Sequence, residues 1–281
     1  MADPAFISFL SDYGTTDEFV GVCKAVMWSI APEARIIDVT HNLPPHDVRA
    51  GALALVRSVQ YLPEGIVVAI VDPGVGTDRA AVAIEVEHGV ILGPDNGLLA
   101  PAVSMMGGAQ RVVSLTNAEY HIEAPGPTFA GRDVFAPAAA HLAAGVALDE
   151  LGEALAATAL TPGLVSLPRR DRGGALLGEV WWIDRFGNCQ LNIDPDELAA
   201  TGATVGDSIE VRMRDTTRAA RWVNTYADAK PSELVLLVDS YGLMSLAMDR
   251  RSAANEWKLS AGAGVTLVAP GTEVTGEVEG P

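Results

Sequence analysis

The sequence has little of what would point to several large classes of protein. Its 281 residues include two cysteines, Cys23 and Cys189. Two thiols build neither a disulfide framework nor a four-ligand zinc site. They fit buried thiols in a reducing compartment. Positive charge is scarce: 19 Lys and Arg stand against 36 Asp and Glu, a net charge of −17. Such a surface repels phosphate backbones and argues against a nucleic-acid partner, while it is compatible with a small cationic ligand. No apolar run approaches the roughly 18 residues of a membrane helix. Met1-Ala2-Asp3-Pro4 does not open a secretory signal, so the expectation is a cytoplasmic protein with no membrane partner. Familiar catalytic signatures are missing as well. There is no Gly-x-x-x-x-Gly-Lys-Ser/Thr loop, no Gly-x-Ser-x-Gly elbow and no His-Glu-x-x-His pair. His41 and His46 are close in sequence, but their spacing across Pro44-Pro45 suits no standard ligand pair, so no metal is expected.

What is present can fold. The hydrophobic fraction is 49% and the mean hydropathy +0.23, enough for a buried core. The 28 glycines and 17 prolines suit many short strands and loops better than a helical bundle. In the first half, apolar strands at 5–10, 35–39 and 66–71 alternate with helices at 19–30 and 48–61. Thr15-Thr16-Asp17 offers N-cap chemistry to the first helix, and Asp47 to the second. Uninterrupted apolar strands between helices predict a mostly parallel sheet with flanking helices, an α/β domain over residues 1–168. After a polar linker at 166–174, short strands are predicted at 176–183, 189–193, 208–213, 233–238 and 265–268. These indicate a smaller all-β, barrel-like domain over 173–281. Ligands of parallel sheets collect beyond the C-terminal strand ends. Asp12 and Asp72 follow such ends and are site candidates; each alone also fits a simple turn cap.

Five strings stand out in order: Phe9-Leu10-Ser11-Asp12-Tyr13-Gly14-Thr15-Thr16-Asp17, Val71-Asp72-Pro73-Gly74-Val75-Gly76-Thr77-Asp78-Arg79, Gly93-Pro94-Asp95-Asn96-Gly97-Leu98-Leu99, Pro127-Thr128-Phe129-Ala130-Gly131-Arg132-Asp133-Val134-Phe135 and Asp184-Arg185-Phe186-Gly187-Asn188. Together they resemble the S-adenosylmethionine hydrolase (hydroxide adenosyltransferase) family, whose relatives include fluorinase and chlorinase. The resemblance runs from about Phe6 to Val268.

The resemblance implies attack of water on the ribose 5′ carbon of S-adenosylmethionine, giving adenosine and L-methionine. The sulfonium leaves as a neutral thioether, so the reaction calls for no general acid, metal or cofactor. It calls for alignment of the nucleophile and exclusion of bulk water. By motif match, Asp12 is implied to hold the ribose diol. Asp17 and Asp184 are implied to hold the methionine ammonium, and Ser240 its carboxylate. Phe186 and Asn188 match the adenine pocket, though Phe186 also reads as core and Asn188 as a turn residue. Thr128 and Phe129 belong to the same substrate-binding string.

The family activates water with an Asp–Arg–His set. Asp72 and Arg79 match its first two members; Arg79 can pair with Asp72, hold it ionised and orient it, or contact water directly. Arg79 also reads as a surface cation screening Asp78. The third member departs: where the pattern has Thr-Phe-His-Gly-Arg-Asp, this chain has Ala130 before Gly131. A methyl group carries no proton. Three readings follow from Ala130: an engineered variant, a subfamily in which Asp72 and Arg79 suffice, or a binder of S-adenosylmethionine or adenosine without turnover. His46, at a position where relatives carry an aromatic residue, is a candidate substitute imidazole. Halide-dependent adenosyl transfer is a further alternative. Gly131 leaves room for an anion, but the Asp72 carboxylate repels it. The resemblance also implies a homotrimer whose sites are shared between the first domain of one subunit and the β domain of its neighbour.

Overall fold

The computed structural model describes residues 5–163, 165–214 and 216–272. The chain divides into two compact units, Met1–Val165 and Ser166–Pro281.

The first unit is built on seven strands: β1 (Phe6–Ser11), β2 (Arg35–Thr40), β3 (Gly65–Ile70), β4 (Ala81–Val86), β5 (Gly89–Pro94), β6 (Arg111–Leu115) and β7 (Gly152–Leu155), in the order β2-β1-β3-β5-β4-β6-β7. Pairing is parallel across β2-β1-β3-β5 and antiparallel beyond. The parallel part carries helices on both faces. In β1 and β3 every residue after the first is buried, the burial on two faces that suits an apolar β3 and a β1 broken only by Ser8 and Ser11. Ile7 and Phe9 share an apolar cluster with Met27 of α1 (Phe19–Ile30) and with Ala138 and Ala139 of α4 (Ala136–Ala143). The opposite face meets α2 (Val48–Val59), where a Cβ at Gly51 would lie 2.8 Å from the Val71 side chain. The short α3 (Ala100–Met105) packs beside α2.

Asp47 caps α2 as expected, accepting the Ala50 N–H at 2.9 Å. The cap expected from Thr15-Thr16-Asp17 does not form. The N-cap position of α1 is Glu18, in helical conformation and with no side-chain cap bond. The polar residues before it are exposed. A wide π-type turn, Gly131–Phe135, leads directly into α4.

The second unit holds β8 (Arg169–Arg170), β9 (Leu176–Ile183), β10 (Cys189–Leu191), β11 (Ser208–Met213), β12 (Thr216–Trp222), β13 (Val235–Val238), β14 (Met244–Ala247) and β15 (Gly264–Val268). Seven of them close a barrel, β9-β10-β14-β13-β12-β11-β15 and back to β9. Ile209, Val211 and Met213 point inward from β11 while their neighbours do not, the period-two alternation of a strand with one wet face. Two strands escaped the sequence expectation, β12 and β14. So did β8, which forms inside the stretch read as linker and pairs with β9. Short helices α5 (Pro195–Ala199) and α6 (Ala253–Trp257) fill connections.

Candidate active site

In a parallel sheet, strand ends share one edge, so the order β2-β1-β3 brings Asp12 and Asp72 to neighbouring ends. Neither behaves as a simple turn cap. Asp12 Oδ2 accepts the backbone N–H of His46, 34 residues away, at 2.8 Å. The N–H of Tyr13 turns instead onto Ser11 Oγ at 3.3 Å. His46 holds a left-handed backbone, φ 66°, so the loop after β2 is bent to deliver that N–H to Asp12.

Asp72 is clasped by Arg79. The Arg79 Nε donates to Asp72 Oδ1 and Oδ2 at 3.0 Å each, and its Nη2 donates to Oδ2. The Asp72 and Arg79 side chains are 7% and 15% exposed, so water screens the pair poorly. The guanidinium lies 5.5 Å from the centre of the Phe135 ring, which backs it. Arg79 is therefore no surface cation. It sits behind Asp72 and aims the carboxylate at a cleft of about 500 Å³. That cleft is lined by Asp12, Tyr13, His46, Asp72, Thr128, Phe129 and Ala130, among others. Its size suits a nucleoside-sized ligand.

The aromatic wall forms from Tyr13, Phe19 and Phe129, with ring centres 5.1–5.9 Å apart in tilted or edge-on pairs. Burial is the main cause that raises the Tyr13 hydroxyl well above its ordinary pKa, with Cys23, Asp12 and Asp72 adding to it and Arg79 opposing. Gly131 leaves space for that hydroxyl: a Cβ there would lie 2.2 Å from Tyr13 Oη. Asp17 is exposed and does not line this cleft.

In the second unit Asp184, Phe186 and Asn188 form one tight loop. Asp184 Oδ1 accepts the N–H groups of Phe186 and Asn188 at 2.9 Å each, and Oδ2 accepts Asn188 Nδ2 at 2.8 Å. Gly187 turns with φ 84°, and a Cβ there would lie 2.0 Å from Ser252 Oγ. The Asp184 carboxylate thus first orders its own loop; Oδ2 has room for one more donor. The loop holds Phe186 out at 77% exposure, so this ring is not core. A second cleft of about 470 Å³ is lined by Asp184, Phe186, Asn188, Tyr226, Arg250 and Arg251, among others. Ser240 is exposed and outside that lining. Its neighbour Asp239 accepts Gln190 Nε2 at 2.5 Å and the Tyr241 N–H at 2.8 Å.

Sequence reasoning missed Tyr13, Phe19 and Arg132 in the first cleft, and Tyr226 with the Arg250-Arg251 pair in the second. Tyr13 and Arg132 lay within the matched strings. Arg250-Arg251 was visible only as a basic pair in an acidic chain. Cys23 and Cys189 are free and buried, and burial pushes both thiols up to about 12. Among the described residues no cluster of His, Cys, Asp or Glu is arranged to hold a metal ion. None of the described helices is long and apolar enough to cross a membrane.

Carboxylates at adjacent parallel strand ends, one gripped by an arginine, and a separate barrel presenting an aromatic loop define a two-unit α/β and β-barrel protein with small-molecule clefts. Comparison with known proteins narrows this class. The SAM hydroxide adenosyltransferase N-terminal domain matches residues 7–152 and the corresponding C-terminal domain residues 178–266. An (R)-S-adenosyl-L-methionine hydrolase of Salinispora arenicola is 44% identical over 255 residues, 91% of this chain and 94% of the relative. One from Thermus thermophilus is 37% identical over 93% of this chain and 99% of its own. A fluorinase of Actinoplanes is 32% identical over 93% and 96%. The crystal structure of an uncharacterized conserved protein from Thermotoga maritima superposes with a TM-score of 0.86 at 32% identity, covering 93% of this chain and 99% of that one. The chain belongs to the SAM hydroxide adenosyltransferase family.

Proposed function

We propose that the protein hydrolyses S-adenosyl-L-methionine to adenosine and L-methionine. Following the names of its relatives, we assign the (R) configuration at sulfur to its substrate. The observation that carries this reading is the Asp72–Arg79 clasp at the wall of a cleft shared with Asp12. A water oxygen attacks the 5′ carbon, the C–S bond breaks, and its electron pair returns to sulfur, which departs as neutral thioether. The water's proton passes to the Asp72 carboxylate and on to solvent. Arg79 fixes the direction of that carboxylate, the positioning that such a displacement rewards most. The chemistry draws on no cofactor: cationic charge vanishes at sulfur as the bond breaks, so no electrophile has to stabilise the leaving group. A carboxylate at the nucleophile's position opposes halide as the attacking group.

Asp12 suits the ribose diol, its second oxygen being held by the His46 N–H. Phe186 and Asn188 suit adenine, by stacking and by an amide edge. Asp17, Asp184 and Ser240 are assigned to the methionine end. The exposed Phe186 ring is what an active site shared between protomers of a homotrimer would cover. Two buried, unpaired thiols suit a cytoplasmic setting.

The test is incubation of each sulfonium epimer with ligand-free enzyme in heavy-oxygen water, followed by chromatography and mass spectrometry. Adenosine carrying the label at its 5′ hydroxyl, formed faster from the (R) epimer, is the expected result. Unchanged substrate with both epimers overturns the reading. Added chloride yielding a halogenated nucleoside replaces it.

A further inference from the structure

The matched strings assign no role to Tyr13, yet it lines the first cleft and its hydroxyl has a definite place over Gly131. Its ring is wedged against Phe9, Phe19 and Phe129, with centres 6.5, 5.9 and 5.6 Å away. Its Oη lies directly over the Cα of Gly131, at the spot a side chain there would claim. Ala130, next along the chain, lines the same cleft and contributes only a methyl group. Among the described residues no protein group hydrogen-bonds this hydroxyl. Tyr13 lines the same cleft as Asp12 and Asp72.

An ordered water needs two or more polar partners to be held in one orientation. Asp72 is one. Ala130 and Gly131 offer no side-chain donor, and the Nε and Nη2 of Arg79 are turned to Asp72. We infer that the Tyr13 hydroxyl is the second: it donates to the oxygen of the attacking water while Asp72 receives the water's proton. This rests on the hydrolytic reading above and adds a catalytic residue to it. One lone pair of the water is then fixed by the phenol and the other is left for the 5′ carbon. To the extent that the proton moves to Asp72 ahead of C–O bond formation, negative charge grows on the oxygen, and the phenol O–H strengthens its grip where charge develops. A group in this role has to keep its proton beside two carboxylates. Burial together with Asp12 and Asp72 keeps Tyr13 neutral by raising it well above its ordinary value. Tyr13 thereby does through a hydroxyl what Ala130 cannot do, and Gly131 is the residue that makes room for it.

The experiment is Tyr13→Phe, which keeps the ring and removes only the oxygen. Adenosine formation gives kcat and KM, calorimetry gives the affinity for adenosine, and a thermal melt checks folding. The expected result is a fall in kcat of about 10²-fold. KM and adenosine affinity stay within about twofold, because the hydroxyl holds water and not nucleoside. An unchanged kcat overturns the inference. So does a loss of adenosine affinity in step with kcat, which would make the hydroxyl a nucleoside contact. A merely structural role would show as a lowered melting temperature with both parameters impaired, and that result also counts against it. If the unaltered enzyme forms no adenosine from either epimer, the hydrolytic reading itself fails. If it does and Tyr13→Phe matches it, only the role of Tyr13 fails.

Discussion

Asp72 and Arg79 act as a unit, and single substitutions should expose this. Asp72→Asn keeps the shape but removes the proposed proton acceptor and leaves the Arg79 guanidinium, 15% exposed, facing an amide. The expected outcome is a loss of kcat of the order of 10²–10⁴-fold, read from adenosine release. Arg79→Lys keeps the charge but not the fork that reaches both oxygens, so it should also lose most activity. Gly131 offers a second test at this scale. The methyl of Gly131→Ala would sit 2.2 Å from Tyr13 Oη and 3.0 Å from two ring carbons, with Phe9 and Phe129 blocking retreat. Overpacking of this kind costs about 1–3 kcal/mol, measurable by urea unfolding. Combined with Tyr13→Phe, which removes the nearest atom, part of that cost should return. These residues differ in how far a sequence betrays them. Asp12, Asp72 and Arg79 stand in distinctive strings, and their types state their chemistry. Tyr13 stands in the same string, but a tyrosine among phenylalanines reads as packing until its hydroxyl is placed over Gly131.

Strand β1 and the loop after β2 are joined by a chain of polar groups, buried at Ser11 and His41 and reaching solvent at Asp38, that carries a pH dependence. Ser11 Oγ and His41 Nδ1 are 2.8 Å apart, and His41 Nε2 lies 3.2 Å from Asp38 Oδ1. The His41 carbonyl accepts the Gly14 N–H at 2.7 Å, so one residue braces the turn that carries Asp12 and Tyr13 from both its side chain and its backbone. Burial lowers His41 below its ordinary value of 6.5, against the upward pull of Asp38. Below pH 6.5 the unfolded chain therefore takes up a proton that the folded one refuses. Stability is full above that pH and declines as pH falls towards the lowered folded value, by at most about 1.4 kcal/mol per pH unit for one group. Urea unfolding between neutral and mildly acidic pH should show this decline. His41→Gln should lessen it, leaving the part due to His121, which burial also lowers. The elements around this chain were legible because their composition is clear: β3 is apolar throughout, β1 is apolar but for Ser8 and Ser11, and α2 begins at a capping Asp47. β12 was not, because Thr216–Trp222 carries two threonines and two arginines spread over both faces, and only its partners β11 and β13 make it a strand. The edge pair at β8 is two arginines long and has no pattern to read. The capping of α1 failed as an expectation because the run of candidate polar residues ends one position early, at Asp17, and Glu18 takes the cap.

At the scale of the whole molecule, each unit carries half of the assigned chemistry: nucleophile and ribose groups in the first, adenine groups in the second. The oligomer proposal says that the two halves of one site come from different protomers, and this predicts complementation. Asp72→Asn disables only the first-unit half; Phe186→Ala removes an exposed ring and disables only the second-unit half, without touching a core. Each variant alone should be nearly inactive, in light scattering as well formed an oligomer as the unaltered protein. When the two are unfolded together, mixed in equal amounts and refolded, a site drawn from two protomers has both good halves whenever the Phe186→Ala chain supplies the first unit and the Asp72→Asn chain the second. Random assembly makes that roughly a quarter of all sites, so activity should reappear at about that fraction. Sites confined to single chains can never combine the two good halves, and the mixture would then stay as inactive as its parts. A monomer in solution with full adenosine affinity would lead to the same conclusion. The physical reason to expect the first outcome is Phe186, an aromatic ring held 77% in water by a carboxylate-braced loop beside the cleft of Asp184 and Asn188.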